Sequence, residues 1–271
     1  MSRARTPQRA RPSSVREAQA QLRPTANQDR RNDVLRQERS RSVDRQALTQ
    51  KSRVFSRNQA QNLQISRAQA NRLRNRLDAE RPGYNRWFSN DFYSRHNLRP
   101  NYSQPGVDWW RGARWANVAG WAPYGRAGAI YYDEEGDPIN ISSQDSAYEQ
   151  PTPQQPVREP AAQPSASNWL PLGVFALARN LEQTKDTGMF LQLALSRDGT
   201  IGGTYYNAAQ DRAYSINGQL DPSTQKVVWT TSKPNSPVAS TGIYNLTQDS
   251  TPVILHFSDG SKQTWTMLRL E

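Results

Sequence analysis

Residues 188–207, GMFLQLALSRDGTIGGTYYN, have the pattern of two β-strands joined by a tight turn. Leu191, Leu193 and Leu195 alternate with other residues, so an extended strand places the three leucines on one face. Asp198-Gly199 lies between the strands and favours the positive φ angles that a two-residue hairpin turn requires. The stretch therefore predicts an antiparallel hairpin whose apolar face must be covered by further strands.

Similar segments, separated by turn residues, continue on both sides of this hairpin. Because connections this short join neighbouring strands antiparallel, the segments predict a meander. A meander hides its edges by closing into a barrel or by folding into two packed sheets. We predict a mainly β fold in which residues 169–271 form an antiparallel eight-stranded meander barrel, with a β-sandwich as the alternative. The strands are expected near residues 172–178, 188–196, 200–207, 212–220, 225–232, 238–246, 252–258 and 263–270.

The remainder of the chain is too polar to join one large globule. The 271 residues include 35 Lys+Arg and 24 Asp+Glu, and 35% are hydrophobic. Residues 1–100 hold 23 Lys+Arg and 8 Asp+Glu, a net charge of +15, whereas the rest holds 12 and 16, a net charge of −4. Residues 1–58 are rich in Arg, Gln and Ser and have few large apolar side chains. We therefore predict a largely disordered, partly helical basic arm over 1–58.

Residues 59–81 are the best helix candidate before the β-domain. Leu63, Ala70, Leu73 and Leu77 lie at spacings of seven, three and four, which makes a narrow apolar stripe on one helix face. Pro82-Gly83 is a typical helix stop. The stripe predicts a helix that either pairs weakly with another element or stays solvated.

Residues 82–149 are rich in aromatic side chains and glycine, and residues 150–168 are a Pro/Gln-rich linker. An acidic turn at 133–138 is flanked by short β-like runs, which predicts a hairpin. The aromatic segment has three possible roles: docking on the β-domain, self-association, or contact with a membrane surface. If exposed together, four tryptophans would form an association patch: Trp109, Trp110, Trp115 and Trp121.

The arginines of the arm have the strongest functional interpretation. Dense guanidinium groups bind polyanions by releasing counterions, without reading sequence. The candidate partners are nucleic acid, anionic lipid headgroups and anionic surface polymers. The candidate polyanion-binding residues are Arg30, Arg31, Arg36, Arg39, Arg41 and Arg45.

The sequence shows no catalytic or metal-binding set. It contains no cysteine, which excludes disulfides and thiolate sites. His96 and His256 are its only histidines, and His256, in a predicted strand, is expected to be a hydrogen-bonded structural residue. We predict a protein that is not an enzyme and that has no cofactor or metal. No run approaches the ~20 apolar residues of a membrane helix, and no signal peptide is visible at the N-terminus.

Five stretches carry a family resemblance: WLPLGVFAL, LQLALSRDGTIGGTYYN, LDPSTQKVVWT, STGIYNLTQD and QTWTMLRLE, all within 169–271. They resemble the C-terminal module of the planctomycete mu-protocadherin-like cell-surface protein family. Upstream, AGWAPYGRAGAIYYDEEG resembles the aromatic segment of the same family. The resemblance implies a cell-surface or periplasmic location. It implies no cadherin calcium chemistry, because the acidic motifs of cadherin repeats are not present.

Three functions are therefore open. The first is a non-enzymatic cell-surface or periplasmic structural or binding protein, whose basic arm holds it to an anionic surface. The second is an intracellular nucleic-acid-associated protein that uses the same arm for sequence-independent affinity. The third is a barrel that holds a small apolar ligand, which bulky inward-facing side chains would exclude.

Overall fold

The computed structural model describes residues 26–39, 45–100, 102, 108–121, 128–141 and 168–270, with the backbone alone for 45–61. Residues 1–25 and 40–44 of the predicted arm, and 150–167 of the predicted linker, lie outside the described residues.

Four α-helices lie in the described part of the chain before the barrel. The α-helices are α1 (Ala26–Arg39), α2 (Arg45–Glu80), α3 (Asn90–Arg95) and α4 (Trp115–Trp121). Short 3-10 helices span Tyr84–Arg86, Glu182–Asp186 and Asn245–Thr247. The basic arm is partly helical, as predicted, but two boundaries are corrected. α1 is a helix within the stretch assigned to disorder, and α2 begins at Arg45 rather than at 59.

Ten strands form two sheets in the described residues. β1 (Ala129–Tyr132) and β2 (Pro138–Ile141) pair as an antiparallel hairpin around the acidic turn. The other eight form the second sheet: β3 (Trp169–Ala178), β4 (Met189–Ser196), β5 (Thr200–Asn207), β6 (Arg212–Asp221), β7 (Lys226–Thr231), β8 (Val238–Gly242), β9 (Ser250–His256) and β10 (Lys262–Arg269).

The second sheet is a closed antiparallel barrel. Each strand pairs with its sequence neighbours, and β10 returns to pair with β3, with Met267 opposite Leu177 and Arg269 opposite Phe175. This closing pair confirms the predicted eight-stranded meander barrel and rules out the two-sheet sandwich. Closure leaves the barrel without an unpaired sheet edge.

The barrel interior is packed with apolar side chains from alternate positions of its strands. A side chain that touched a void large enough for water would show exposed surface, yet each of these is at most 3% exposed. The set comprises Phe175, Leu191, Leu193, Leu195, Ile201, Ile216, Leu220, Val227, Trp229, Val253 and Met267.

The outer face of β10, β3, β4 and β5 is also apolar, and the helical segment covers it. Leu73 and Leu77 of α2 are buried there, each contributing about 1.5–3 kcal/mol by burial. Trp87 packs on the barrel, with its ring centroid 4.9 Å from that of Phe190. The barrel thus has a second core on its outside, which we call the outer layer. Its other buried aromatic rings are Phe88, Phe92, Tyr93, Tyr102 and Trp109.

Two adjacent glycines let both cores approach β5 closely. A Cβ on Gly202 would lie 2.7 Å from the Tyr102 ring in the outer layer. A Cβ on Gly203 would lie 2.2 Å from the Gln192 carbonyl oxygen and 3.1 Å from Leu193 on the inner face. The Gly-Gly pair is therefore required by packing on opposite faces of one strand.

We predict that Gly203→Ala destabilises the fold by at least about 1–3 kcal/mol, because the added methyl group overpacks the barrel wall. The matched control is Gly120→Ala in α4, where an added Cβ meets nothing within 4 Å. Removing this helical glycine is expected to raise stability by up to about 1 kcal/mol. Urea unfolding measures the stability of both variants. Equal unfolding midpoints for Gly203→Ala and Gly120→Ala would contradict the packing argument.

Candidate functional site

α4 closes one end of the barrel. Its Val118 is fully buried in the interior core, and Ala113 just before it donates its backbone N–H to the Leu172 oxygen at 3.4 Å. The Arg197 guanidinium stacks on the Trp121 ring, 4.1 Å from its centroid. We call this end, where the β4–β5 turn lies, the plugged end. A ligand cannot enter the interior core past these side chains.

The opposite end, which we call the open end, carries a ring of half-buried side chains. Tyr205 lies opposite Leu191 of the interior core and therefore faces inward. Tyr214 lies opposite Tyr205, and their rings stack with centroids 6.3 Å apart. The other inward-facing members that pack on the interior core are Met189, Phe257 and Trp265. Burial raises the pKa of the Tyr205 phenol, partly offset by its hydrogen bond with Asn207.

A guanidinium group lies at the rim of the open end. The Arg179 guanidinium is exposed and lies 5.7 Å from the centroid of the Trp265 ring. The Trp265 indole N–H donates to the Gln263 side-chain oxygen at 3.1 Å. Aromatic rings with a cation beside them are an arrangement that binds flat or ring-shaped groups.

Two loops at the open end are held outward by the outer layer. In the β3–β4 loop, the Thr187 carbonyl accepts a hydrogen bond from the Arg76 guanidinium of α2 at 2.6 Å. In the β5–β6 turn, Asp211 Oδ1 accepts from the Tyr206 hydroxyl at 2.8 Å and lies 3.1 Å from His96 Nε2. These contacts lie outside the barrel wall, so both connections are drawn away from the opening.

α1 holds the β7–β8 loop in the same way. Asn27 donates to the carbonyl oxygens of Thr231 and Lys233, at 3.1 and 3.2 Å. Arg30 donates to the carbonyl oxygens of Ser236 and His256, each at 3.2 Å. The open end is therefore framed by loops that other elements hold in place.

The packed interior bears directly on the small-ligand hypothesis. Below the open end, Leu177, Leu191 and Leu255 are 8%, 3% and 7% exposed and form its floor. A ligand enclosed at the centre of the barrel would have to displace the interior core, at a cost of several kcal/mol.

The six candidate polyanion-binding arginines do not form one free surface. Arg30 and Arg39 contact the barrel, Arg39 through an ion pair with Asp221. Arg31 is half-buried, and burial lowers the pKa of its guanidinium. Arg36 is exposed and lies 3.5 Å from Asp33 on the same helix. Arg41 and the side chain of Arg45 lie outside the described residues.

A buried ion pair fixes α1 on the barrel. The Lys226 ammonium donates to the Glu38 carboxylate, and both side chains are 2% exposed. Lys226 also donates to the Gly136 oxygen at 3.1 Å and lies 4.4 Å from the Tyr132 ring centroid, so the β1–β2 hairpin completes the site. Lys262 approaches the second Glu38 oxygen at 3.8 Å. The charges hold one another in a site that water does not reach.

The four tryptophans of the predicted association patch lie in two different places. Trp109 is buried in the outer layer, and Trp110 packs half-buried beside it. Trp115 and Trp121 belong to α4 at the plugged end, where Trp115 packs edge-on against Tyr244 at 5.4 Å. The described aromatic rings therefore dock on the barrel rather than forming one exposed patch.

Both histidines have structural partners. His256 is buried and lies 2.9 Å from the Ser240 hydroxyl, as a hydrogen-bonded strand residue should. The pair has the spacing of a nucleophile and its base, but Ser240 is 1% exposed and a substrate cannot reach it. His96 lies 2.8 Å from the Phe92 oxygen at the end of α3.

Metal-binding groups and membrane-spanning helices are both absent from the described part of the chain. Within it, no group of three His, Cys, Asp or Glu side chains is placed to hold a metal ion. None of its helices combines the length and the apolar character needed to cross a membrane. The chain matches no protein family, no curated protein and no solved structure.

Sequence reasoning missed two groups of surface residues. Arg179, Tyr205, Tyr214 and Trp265 carry no motif, although strand parity could have placed the three rings on the inner face near strand ends. The second group is a row of arginines on α2 and directly after its last residue. Arg67, Arg74 and Arg81 recur every seven residues, a spacing that is visible in the sequence.

We predict that Glu38→Gln releases α1 from the barrel. The substitution removes the negative charge that faces the buried Lys226 ammonium, which costs about 3–5 kcal/mol in such pairs. Amide hydrogen exchange across α1 should accelerate by at least about 100-fold. Arg36→Gln, at an exposed pair on the same helix, is the control and should cost less than about 1 kcal/mol. Unchanged exchange in Glu38→Gln would refute the docking role of the pair.

We also predict a loss of stability in alkali. Burial, with the Asp211 contact, raises the pKa of Tyr206 to about 12, so the folded state favours the neutral phenol. That stabilisation is complete below the unfolded pKa of about 10 and is lost as pH rises toward the folded value. Tyrosinate absorbance should therefore lag behind that of the denatured chain near pH 11. Tyr206→Phe should reduce the lag, and identical titrations of native and denatured protein would contradict the assignment.

Proposed function

We propose that the chain is a non-enzymatic structural or binding protein of the cell surface or periplasm, held to an anionic polymer by its basic outer layer. The barrel is the rigid head of the molecule in this proposal. The contact surface is the exposed side of α2 and of residues 81–100 that follow it, rather than the arm arginines chosen from sequence.

Charge distribution supports this surface. Residues 62–100 hold eight arginines and three acidic residues, a net charge of +5. Residues 168–270 hold eight basic and seven acidic residues, a net charge of +1. Basicity in the described chain is therefore concentrated on the layer outside the barrel.

The observation that carries the proposal is a straight row of arginines on a rigid helix. Arg67 and Arg74 lie on one flank of α2, and Arg81 directly follows its last turn, so the three recur at intervals of about 10 Å. Leu73 and Leu77, between them in sequence, are 0% and 2% exposed in the outer layer. Because the backbone is fixed on the barrel, binding a polyanion costs less ordering entropy than it would for a flexible arm.

The other contacts of these arginines leave them available. Arg67 pairs with Asp249 at 3.2 Å, but its side chain is 69% exposed, and such a surface pair is worth less than about 1 kcal/mol. Arg74 donates to the Asn71 side chain at 2.6 Å on its own helix. A polyanion can therefore replace these partners at small cost.

Nucleic acid is the less favoured polyanion. Single-stranded nucleic acid binds proteins by stacking bases on exposed aromatic faces. The rings of the outer layer instead face the barrel, with Trp87 9% and Trp109 6% exposed. A cell-surface or periplasmic location further rests on the family resemblance of residues 169–271, which favours an acidic surface polymer.

The test is the affinity for polygalacturonate, a linear polycarboxylate, over a salt series from about 50 to 300 mM. Replacing Arg67, Arg74 and Arg81 together by Gln should weaken binding at least about 10-fold at the lowest salt and flatten the salt dependence. The control replaces three exposed arginines elsewhere, Arg111, Arg114 and Arg212, by Gln and carries the same change of charge. It should bind within about three-fold of the parent protein.

Two outcomes would overturn the proposal. An equal loss in the control would show that binding follows net charge and not the α2 row. Binding to single-stranded DNA without binding to the polycarboxylate would favour the nucleic-acid function instead.

A further inference from the structure

We propose that the open end of the barrel is a second, independent site, which binds a flat aromatic ligand that carries an anionic group. It does not rest on the polyanion-binding surface, which lies on α2 outside the barrel. The proposal rests on the ring of half-buried aromatic side chains, the shallow floor below them and the guanidinium at the rim.

The walls of the site offer ring faces. Tyr205 and Tyr214 stack on each other with an interplanar angle of 30°, and both side chains remain half-buried beside the opening. Trp265 and Phe257 face inward from β10 and the end of β9 and remain half-exposed. A ligand ring that stacks on these side chains would bury apolar surface that is now partly exposed. The side chains themselves need not give up existing contacts to receive it.

The floor limits the size of the ligand. Leu177, Leu191 and Leu255 close the opening one layer below the rings. A long acyl chain would need a channel through the interior core, where Leu193 and Ile201 are 0% and 1% exposed. The buried layer therefore favours a ring system that lies against the rings over a long chain.

The positive charge at the rim favours an anionic group on the ligand. Arg179 lies over the Trp265 ring at 5.7 Å, so its guanidinium is positioned beside any ring that stacks on the indole. A planar guanidinium in this position pairs with a carboxylate or sulfonate on the ligand. The 3-10 helix of the same loop carries the exposed Glu182, Lys185 and Asp186.

The opening is also preorganised. Arg76, Tyr206 and Arg30 hold three of its connections against the outer layer and α1. A ligand therefore need not displace a loop to reach the rings, which reduces the ordering cost of binding.

Anilinonaphthalene sulfonate is the probe, because it is a flat aromatic anion whose fluorescence rises in apolar surroundings. Its uncharged analogue phenylnaphthylamine separates the ring contribution from the charge contribution. The folded full-length protein should bind one molecule of each. Trp265→Ala should weaken the binding of both probes at least about 10-fold. Trp265→Phe, which keeps an aromatic ring, should retain most of the affinity.

Arg179→Gln should weaken binding of the sulfonate by about 5-fold or more and leave the affinity for the uncharged analogue unchanged. Arg197→Gln is the matched control, since Arg197 stacks on Trp121 in the same manner at the plugged end. It should alter neither affinity. Circular dichroism and thermal melting show that each variant is folded before its affinity is compared.

Several results would overturn the inference. They are the absence of saturable binding by the folded protein, or binding of many probe molecules. Equal affinities in Trp265→Ala and the parent would place the probe elsewhere, and equal losses in Arg179→Gln and Arg197→Gln would remove the rim arginine from the site. Polygalacturonate affinity in the same variants reports separately on the α2 surface, so failure of one site is distinguishable from failure of the other.

Discussion

Pairing between β3 and β10 is the constraint on which the rest of the structure depends. It brings the first and last strands of the barrel together across about a hundred residues, with the Leu270 N–H donating to the Val174 oxygen at 2.8 Å. Once the sheet closes, one face of every strand is used for the interior. The outer faces of β3, β4, β5 and β10 carry Val174, Ala176, Phe190 and Leu268, which are also apolar. The barrel therefore cannot be solvated all round, and the outer layer is a requirement of the fold.

The outer layer in turn decides the shape of the two barrel ends. The outer layer leads into α4, which lies at one end of the barrel, where Val118 completes the interior core. At the other end it draws connections outward through contacts such as that between Arg76 and Thr187. An asymmetric barrel, plugged at one end and open at the other, follows from where the covering segments attach. Neither feature is a property of the meander alone.

The strands could be predicted from sequence because their signals are local. Alternation such as that of Leu191, Leu193 and Leu195, together with turns such as Asp198-Gly199, lies within a few residues of each strand. The two-sided burial was also signalled, since WLPLGVFALA in β3 is a continuous apolar run and not an alternating one. Such a run indicates that both faces are covered, and it identifies the surface that Leu73 and Leu77 of α2 need.

Local signals could not reveal α1, because it buries little apolar surface. Val34 packs against Val228 and Val238, while most of the remaining docking contacts are polar. Glu38 finds its partner Lys226 188 positions further along the chain. A composition argument counts such a segment as disordered, since it cannot see a charge partner contributed by a distant strand. The contact at the open end could not be predicted for a similar reason, because Trp265 and Arg179 meet only after β10 has paired with β3.

The placement of α1 divides the basic residues into two groups: those that hold a helix on the barrel and those that do not. Arg30 and Arg39 have their donors directed at carbonyl and carboxylate oxygens of the barrel, so a polyanion would have to compete with an intramolecular partner. Buried ion pairs such as Glu38–Lys226 add little net stability compared with apolar packing, but they strongly penalise any other alignment of the helix. Those charges fix where the arm lies. The row of Arg67, Arg74 and Arg81 lies on and directly after a helix that leucines anchor, so its charges contribute little to the docking of that helix.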